Sequence, residues 1–176
     1  AGIDTIQFQG DQSGMLTPDS TGDGLAEVVF ATSGVIVNLR SNAIIDDGFG
    51  HFGTVLNVEN VDGSLLDDQL LGSNGANVLN GLDGADIIYG YGGDDIINGG
   101  AGNDTLRGDG PSNYNGVSGN DQLSGGDGDD YLSGGAGVDS FDGGAGTDRV
   151  SFYAYSATQG VVANLITQTI SNDGYG

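Results

Sequence analysis

From Gly63 to Ser151 the chain is written in units of nine residues. Five run in tandem: GSLLDDQLL, GSNGANVLN, GLDGADIIY, GYGGDDIIN and GGAGNDTLR. Eight extra residues, GDGPSNYN (108–115), interrupt them, and GVSGNDQLS, GGDGDDYLS, GGAGVDSFD and GGAGTDRVS follow. Position 1 is always Gly, position 4 is Gly except at Leu66, and position 6 is Asp except at Asn77. Position 8 is always apolar: Leu70, Leu79, Ile88, Ile97, Leu106, Leu123, Leu132, Phe141 and Val150. One obligatory apolar residue in nine is too sparse for a helix face or a free strand. It suits a solenoid in which each short strand turns one side chain inward and neighbouring coils cover it. Six residues of turn and three of strand make half a coil. Two units then make a coil of 18 residues, with strands in two opposed parallel sheets.

Coils in such a stack are separated by the strand spacing of a sheet, about 4.8 Å. Position 6 therefore builds a column of carboxylates along each edge. At ~5 Å each like-charge contact costs about 0.8 kcal/mol in water, and several times more at an effective dielectric of 20. The chain cannot neutralise these columns itself: it has 25 acidic residues against 3 Arg and no Lys, a net charge of −22. A stable roll needs a hard cation between its turns. A donor set rich in oxygen, with one His and no Cys, selects Ca²⁺. The same composition excludes disulfide frameworks, thiolate metal sites and cysteine nucleophiles, and leaves too few cations for a phosphate backbone. No apolar run approaches the ~20 residues of a membrane span, and no basic-then-apolar leader stands at Ala1.

The units resemble the repeats-in-toxin (RTX, hemolysin-type) calcium-binding nonapeptide family, whose pattern is Gly-Gly-x-Gly-x-Asp-x-apolar-x. The resemblance implies an all-β fold, a right-handed parallel β-roll (β-solenoid) of two short sheets with calcium-binding turns on both edges. It also implies type I secretion from a bacterium and an extracellular or cell-surface location. In that family one turn offers the carbonyls of positions 2 and 4 with its Asp. The next turn on the same edge offers the carbonyls of positions 1 and 3 with its own Asp. Carried over, Asp68 and Asp86 hold an ion with Ser64, Leu66, Gly81 and Asp83, and Asn77 and Asp95 with Ser73, Gly75, Gly90 and Gly92. Asp86 pairs with Asp104 beside Leu82, Gly84, Gly99 and Ala101, and Asp95 with Asp121 beside Tyr91, Gly93, Gly116 and Ser118. Asp104 pairs with Asp130 beside Gly100, Gly102, Gly125 and Asp127. Asp121 pairs with Asp139 beside Val117, Gly119, Gly134 and Ala136, and Asp130 with Asp148 beside Gly126, Gly128, Gly143 and Ala145. The expectation is about seven ions, the one at uncharged Asn77 being the weakest. The insertion admits two readings. As a loop with Pro111 and Asn113 at its tip it leaves the edges in phase, and Asp104 pairs with Asp130. As a degenerate half coil with Tyr114 turned inward it would pair Asp104 with Asp121.

The flanks, 1–62 and 152–176, echo one another. AGIDTIQF (1–8) matches AGTDRVSF (145–152), GVIVNL (34–39) matches GVVANL (160–165), and DDGFG (46–50) matches NDGYG (172–176). The chain thus reads as an excerpt of a longer tandem repeat, starting in mid-unit and ending at the start of the next copy. Val35 to Leu39 and Val55 to Val61 read as strands that extend the roll. DSTGDGLAE (19–27) has the spacing of an Asp-rich calcium loop through Asp19, Thr21, Asp23 and Glu27, and adds a candidate eighth ion.

Other constellations have plainer explanations. His51 is the only histidine, and it sits among Gly48, Phe49, Gly50 and Phe52 in loop sequence. Carboxylate pairs for glycoside hydrolysis abound, but their fixed period marks them as ligands. Tyr89, Tyr91, Tyr131, Tyr153 and Tyr155 form either a sugar-binding stripe or outward strand positions. The reading is a non-catalytic calcium-binding roll of a large secreted protein. Its alternatives are a self-associating unit of a fibre, surface layer or adhesin, and an accessory module of a secreted protease, lipase or epimerase.

Overall fold

The computed structural model describes residues 5–8, 15–17, 27–29, 33–110, 118–152, 162–164 and 169–172. Among them every regular element is a strand. Sheet I stacks Thr5–Gln7, Asn60–Asp62, Val78–Asp83, Ile96–Ala101, Gln122–Asp127 and Ser140–Ala145 in that order. Sheet II runs Arg149–Val150, Tyr131–Ser133, Thr105–Asp109, Ile87–Tyr91, Gln69–Leu71 and Val35–Asn38. All these neighbours pair in parallel. The chain alternates between the sheets, so each pair of nonamers completes one coil.

Register follows from the apolar position. In sheet I, Ile6, Val61, Leu79, Ile97, Leu123 and Phe141 stand in one line. In sheet II, Val37, Leu70, Ile88, Leu106, Leu132 and Val150 do the same. The two lines fill the space between the sheets. Leu70, Leu79, Ile88, Ile97, Leu106 and Leu132 have no exposed surface at all. At ~1.5–3 kcal/mol for a fully buried aliphatic side chain, these two lines are the main apolar contribution to the fold.

The insertion leaves the stack in phase. Ile96–Ala101 pairs directly with Gln122–Asp127, and Thr105–Asp109 with Tyr131–Ser133. Pro111, Asn113 and Tyr114 lie outside the described residues.

The flank before the roll partly departs from the sequence reading. Val35–Asn38 joins sheet II as expected, but then folds back through antiparallel strands Ala43–Asp47 and Gly53–Thr54. This small meander occupies the sheet edge that would otherwise offer unpaired amides. Between Val55 and Val61 only Asn60–Asp62 is strand. Asn57 has φ 57° and Leu56 is exposed, which breaks the extended run before it reaches sheet I. The hairpin of Val35–Asn38 with Ala43–Asp47 recurs 126 residues later. Val162–Asn164 pairs antiparallel with Thr169–Asn172, with the bulge at the matching place.

Candidate metal centre

Each edge of the roll is a column of turns. Turns 63–68, 81–86, 99–104, 125–130 and 143–148 precede strands of sheet II; turns 72–77, 90–95, 108–121 and 134–139 precede strands of sheet I. Position 6 runs down each column through one recurring hydrogen bond. The Asp86 amide donates to Asp104 Oδ1 at 2.8 Å, that of Asp104 to Asp130 Oδ1 at 2.8 Å, and that of Asp130 to Asp148 Oδ1 at 3.1 Å. On the other edge Asn77 donates to Asp95, Asp95 to Asp121 and Asp121 to Asp139, at 2.8, 2.9 and 3.0 Å. The column pairs Asp104 with Asp130 and not with Asp121, which separates the two readings of the insertion.

Oδ1 is thus used in each of these carboxylates, and in five carboxylates of the columns Oδ2 is not. The Oδ2 atoms of Asp86, Asp95, Asp104, Asp121 and Asp130 are buried and have no hydrogen-bond partner. An unpartnered buried charge costs several kcal/mol, so five of them, three on one edge and two on the other, call for a counter-ion. Burial raises these groups most, and neighbouring carboxylates add to the rise, against the amide hydrogen bonds that oppose it. Asp95 is pushed up to about 8, Asp86 and Asp121 to about 7, and Asp104 to about 6.

Glycine shapes the space around each orphan oxygen. A Cβ on Gly81 would strike Asp86 Oδ2 and come within 2.6 Å of the Gly99 carbonyl oxygen; one on Gly99 would strike Asp104 Oδ2 and come within 2.6 Å of the Gly125 carbonyl. Position 1 therefore keeps open a cradle between its own Asp and the next turn. Positions 2 and 4 aim their carbonyls into the same gap. Gly100 and Gly102, at φ 120° and 135°, lie so close to the carbonyl oxygens of Leu82 and Gly84 that no side chain fits there. Leu82 and Tyr91 adopt the same left-handed turn at φ 88° and 78° without being Gly.

The donors of a gap are thus oxygens: an orphan carboxylate oxygen, the position 2 and 4 carbonyls of one turn and the position 1 carbonyl of the next. No three His, Cys, Asp or Glu side chains converge among the described residues, so backbone oxygen must complete any site. An all-oxygen, glycine-walled cradle with an uncompensated carboxylate fits a hard divalent ion. The family model described as RTX calcium-binding nonapeptide repeat (4 copies) matches residues 62–97, 71–106 and 115–150. The chain belongs to the RTX calcium-binding repeat family. RTX repeats are calcium-binding structural modules. No curated protein matches the chain.

Two RTX turns differ from the rest. In turn 63–68, Asp68 Oδ2 accepts the Ser64 amide at 2.6 Å, and Oδ1 accepts both the Ser64 hydroxyl at 2.8 Å and the Val35 amide at 2.6 Å. In turn 72–77, Asn77 Oδ1 accepts the Ser73 amide and hydroxyl at 2.7 and 3.2 Å, and its Nδ2 donates to the Glu59 carbonyl. Serine at position 2 closes these turns from within.

The turn that carries the insertion is also framed differently from the sequence expectation. Gly116 and Val117, read as its positions 1 and 2, lie outside the described residues. Gly108 fills the place of position 1: a Cβ there would strike Asp121 Oδ2 and come within 2.6 Å of the Gly134 carbonyl. The Gly108 carbonyl in turn closes the cradle of Gly90 and Asp95 at 2.7 Å. Position 2 is then Asp109, a carboxylate that the nine-residue frame hides. Gly119 keeps position 4, stacked on the Gly93 carbonyl. Ser118 is exposed.

Sequence reasoning also misses a second ladder at position 5. The amides of Ala85, Asn120, Asp129, Val138 and Thr147 donate to Asp67, Asp94, Asn103, Asn120 and Asp129, all at 2.8 or 2.9 Å. The signal was Asp or Asn at position 5 of five turns, Asp67, Asp94, Asn103, Asn120 and Asp129, a pattern that Ala76 and Ala85 interrupt. Of the calcium loop expected at 19–27, Asp19, Thr21 and Asp23 lie outside the described residues, and Glu27 begins a strand paired antiparallel with Met15–Thr17. His51 is exposed and lies 3.2 Å from Asp47. Tyr131 stands between Arg107 and Arg149, at 5.9 and 5.6 Å from their guanidinium carbons, and Arg107 also faces Tyr89 at 5.6 Å. These rings are engaged by cations of the same face. Tyr153 and Tyr155 lie outside the described residues. No helix of the described residues is long and apolar enough to cross a membrane.

Proposed function

We propose that this chain is a non-catalytic, calcium-dependent β-roll segment of a secreted bacterial protein, which folds when it meets calcium outside the cell. The five buried, unpartnered Asp oxygens carry this reading. They mark five gaps, 86/104, 95/121, 104/130, 121/139 and 130/148, so the seven-ion expectation narrows to five. The gaps 68/86 and 77/95 are the two headed by serine-closed turns. Calcium, when bound, supplies positive charge and oxygen coordination between successive turns. The chain's own residues do the rest: Asp104, Asp121 and Asp130 each belong to two gaps, which links their filling. Where calcium is scarce, five ionised orphans oppose stacking and the chain stays extended for export. At the ~10⁻⁴–10⁻³ M affinities of extracellular calcium modules, the roll closes once outside, and binding energy becomes folding energy.

Circular dichroism during a calcium titration tests this. The expected result is a cooperative coil-to-β transition at millimolar calcium, with magnesium far less effective. A well-ordered roll in excess chelator at pH 7.5 would refute it. The hairpin that recurs after 126 residues, with its bulge, supports a second reading: the segment is one unit of a tandem extracellular array. A parent protein with no further copy would overturn that.

A further inference from the structure

The chain's few cations are gathered in one place. It has three Arg and no Lys, and all three join a single row of ring contacts along sheet II. Position 8 turns inward, so positions 7 and 9 turn outward, and the outer face there carries Tyr89, Arg107, Tyr131 and Arg149. Arg107 lies between Tyr89 and Tyr131, at 5.6 and 5.9 Å from the ring centres, and Arg149 lies 5.6 Å from Tyr131. Tyr89 meets Tyr91 edge to face at 6.3 Å, and Arg40 sits 5.0 Å over the Tyr91 ring. The chain has 25 acidic residues, yet among the described residues neither Arg107 nor Arg149 pairs with a carboxylate. Arg107 Nε is buried without a hydrogen-bond partner, and Arg149 is exposed. The outer face of sheet I has the opposite character: Asp62, Asn80, Asn98, Ser124 and Asp142 stand in line with no cation among them.

We propose that this row binds a linear polysaccharide that carries a carboxylate on alternate sugars. A guanidinium stacked on an aromatic ring keeps its N–H fork for a bidentate carboxylate. Arg107 and Arg149 stand two strands apart, about 9.6 Å across the sheet, which is close to the length of two sugar rings in an extended glycan. Thr105 and Ser133, in register with Tyr131 and Arg107, add hydroxyls between them. A peptide strand cannot add here, because Thr105–Asp109 and Tyr131–Ser133 are each paired on both sides. A second copy would bring its own charge of −22, still −12 once five Ca²⁺ add +10. A glycan touches the cationic row alone, and at physiological salt acidic edges beyond about 8 Å are screened. The inference needs the folded roll, which on the reading above needs calcium.

Hyaluronan oligosaccharides, which carry glucuronate on alternate sugars, provide the probe. Titrated calorimetrically into the calcium-loaded chain, they should bind saturably, more weakly as salt rises, and their methyl esters should not bind. Arg107→Gln and Arg149→Gln should each weaken binding at least tenfold while calcium still gives the full β-sheet circular dichroism. Arg107→Lys keeps the charge but loses the planar fork, and should also weaken it. Arg149→Gln, at an exposed position, keeps the test open should the Arg107 variants fail to fold. Gln122→Ala, on the outer face of sheet I, should leave binding unchanged. Absence of binding to a folded roll, or undiminished binding by the folded Arg149→Gln chain, overturns the inference and leaves calcium-driven folding standing. Polyglutamate binding as tightly as the glycan would also overturn it, in favour of an acidic polypeptide. Failure of calcium to change the fold of the unaltered chain would instead overturn the calcium reading itself.

Discussion

Turns 63–68 and 72–77 and the turns that follow them share one backbone plan and solve one problem in opposite ways. In the first two, Ser64 and Ser73 satisfy the position 6 side chain with an amide and a hydroxyl. In the next five, no position 2 hydroxyl reaches the second Asp oxygen, which is left buried and bare. The lesson is that the glycine turn is unfinished by itself. A hydroxyl completes it permanently, and a cation completes it conditionally. On the function proposed above, the switch from Ser to Gly, Leu, Tyr or Asp at position 2 would divide the roll into a part that needs no metal and a part that does.

The largest effect should come from removing calcium. In chelator at pH 7.5, hydrogen exchange should accelerate most at the column amides of Asp86, Asp95, Asp104 and Asp121, and least at Ser64 and Ser73. Uniform loss of protection along the roll would erase the contrast between the two regions. Next in size is the removal of a shared ligand. Asp104→Asn touches gaps 86/104 and 104/130 and should raise the calcium midpoint at least tenfold. Asp148→Asn, serving one gap at the end of its column, should raise it several-fold less. Equal changes in the two variants would break the linked-column picture.

How much of this could be read in advance depends on distance along the chain. The apolar line from Leu70 to Val150 was legible because its cause is local: one inward position per strand, fixed by the period. The position 6 column was legible for the same reason. The frame of the interrupted turn was not. Gly108 and Gly116 are the same residue type, and only the approach of Gly134 and Asp121, distant in sequence, identifies Gly108 as the cradle glycine. Asp109 was hidden with it. The role of Ser64 was equally obscure, since position 2 tolerates Gly, Leu, Tyr and Ser, and its bond to Asp68 is visible only in the folded turn. The strand expected from Val55 failed at Asn57, whose left-handed backbone is a local choice that the alternation of Val and Leu does not report.

A smaller effect, and one of defined sign, concerns pH in the absence of metal. The folded-state pKa values of Asp86, Asp95, Asp104 and Asp121 are raised to between about 6 and about 8, against an unfolded value of 3.8. The metal-free roll therefore binds more protons than the unfolded chain. Its stability is fully present below pH 3.8 and is lost as pH rises through about 6 to 8. A tenfold difference in proton affinity between the folded and unfolded chain corresponds to about 1.4 kcal/mol, against a typical net stability of ~5–15 kcal/mol. In chelator, β-sheet circular dichroism should rise as pH falls from 8.5 toward 4, and added calcium should flatten the profile. A metal-free signal that weakens with acid would contradict the orphan-carboxylate argument.

The smallest changes set the two kinds of turn side by side. Gly99→Ala puts a methyl group into the cradle of Asp104, within 2.6 Å of the Gly125 carbonyl. Gly75→Ala, in a serine-closed turn, meets nothing nearer than Ser73 Oγ at 3.9 Å. Calorimetry should therefore show one calcium fewer for Gly99→Ala and an unchanged count for Gly75→Ala. Ser64→Ala isolates the hydroxyl. It removes one hydrogen bond to a buried carboxylate but leaves the Ser64 and Val35 amides on Asp68. Bonds to charged groups contribute about 1.5–3 kcal/mol, so the calcium-loaded roll should lose stability on that scale in denaturant. If that variant instead gains a calcium ion, the lone pair that the hydroxyl frees on Asp68 Oδ1 has become a ligand although each oxygen keeps its amide. Serine at position 2 would then be shown to set the number of ions the roll takes up.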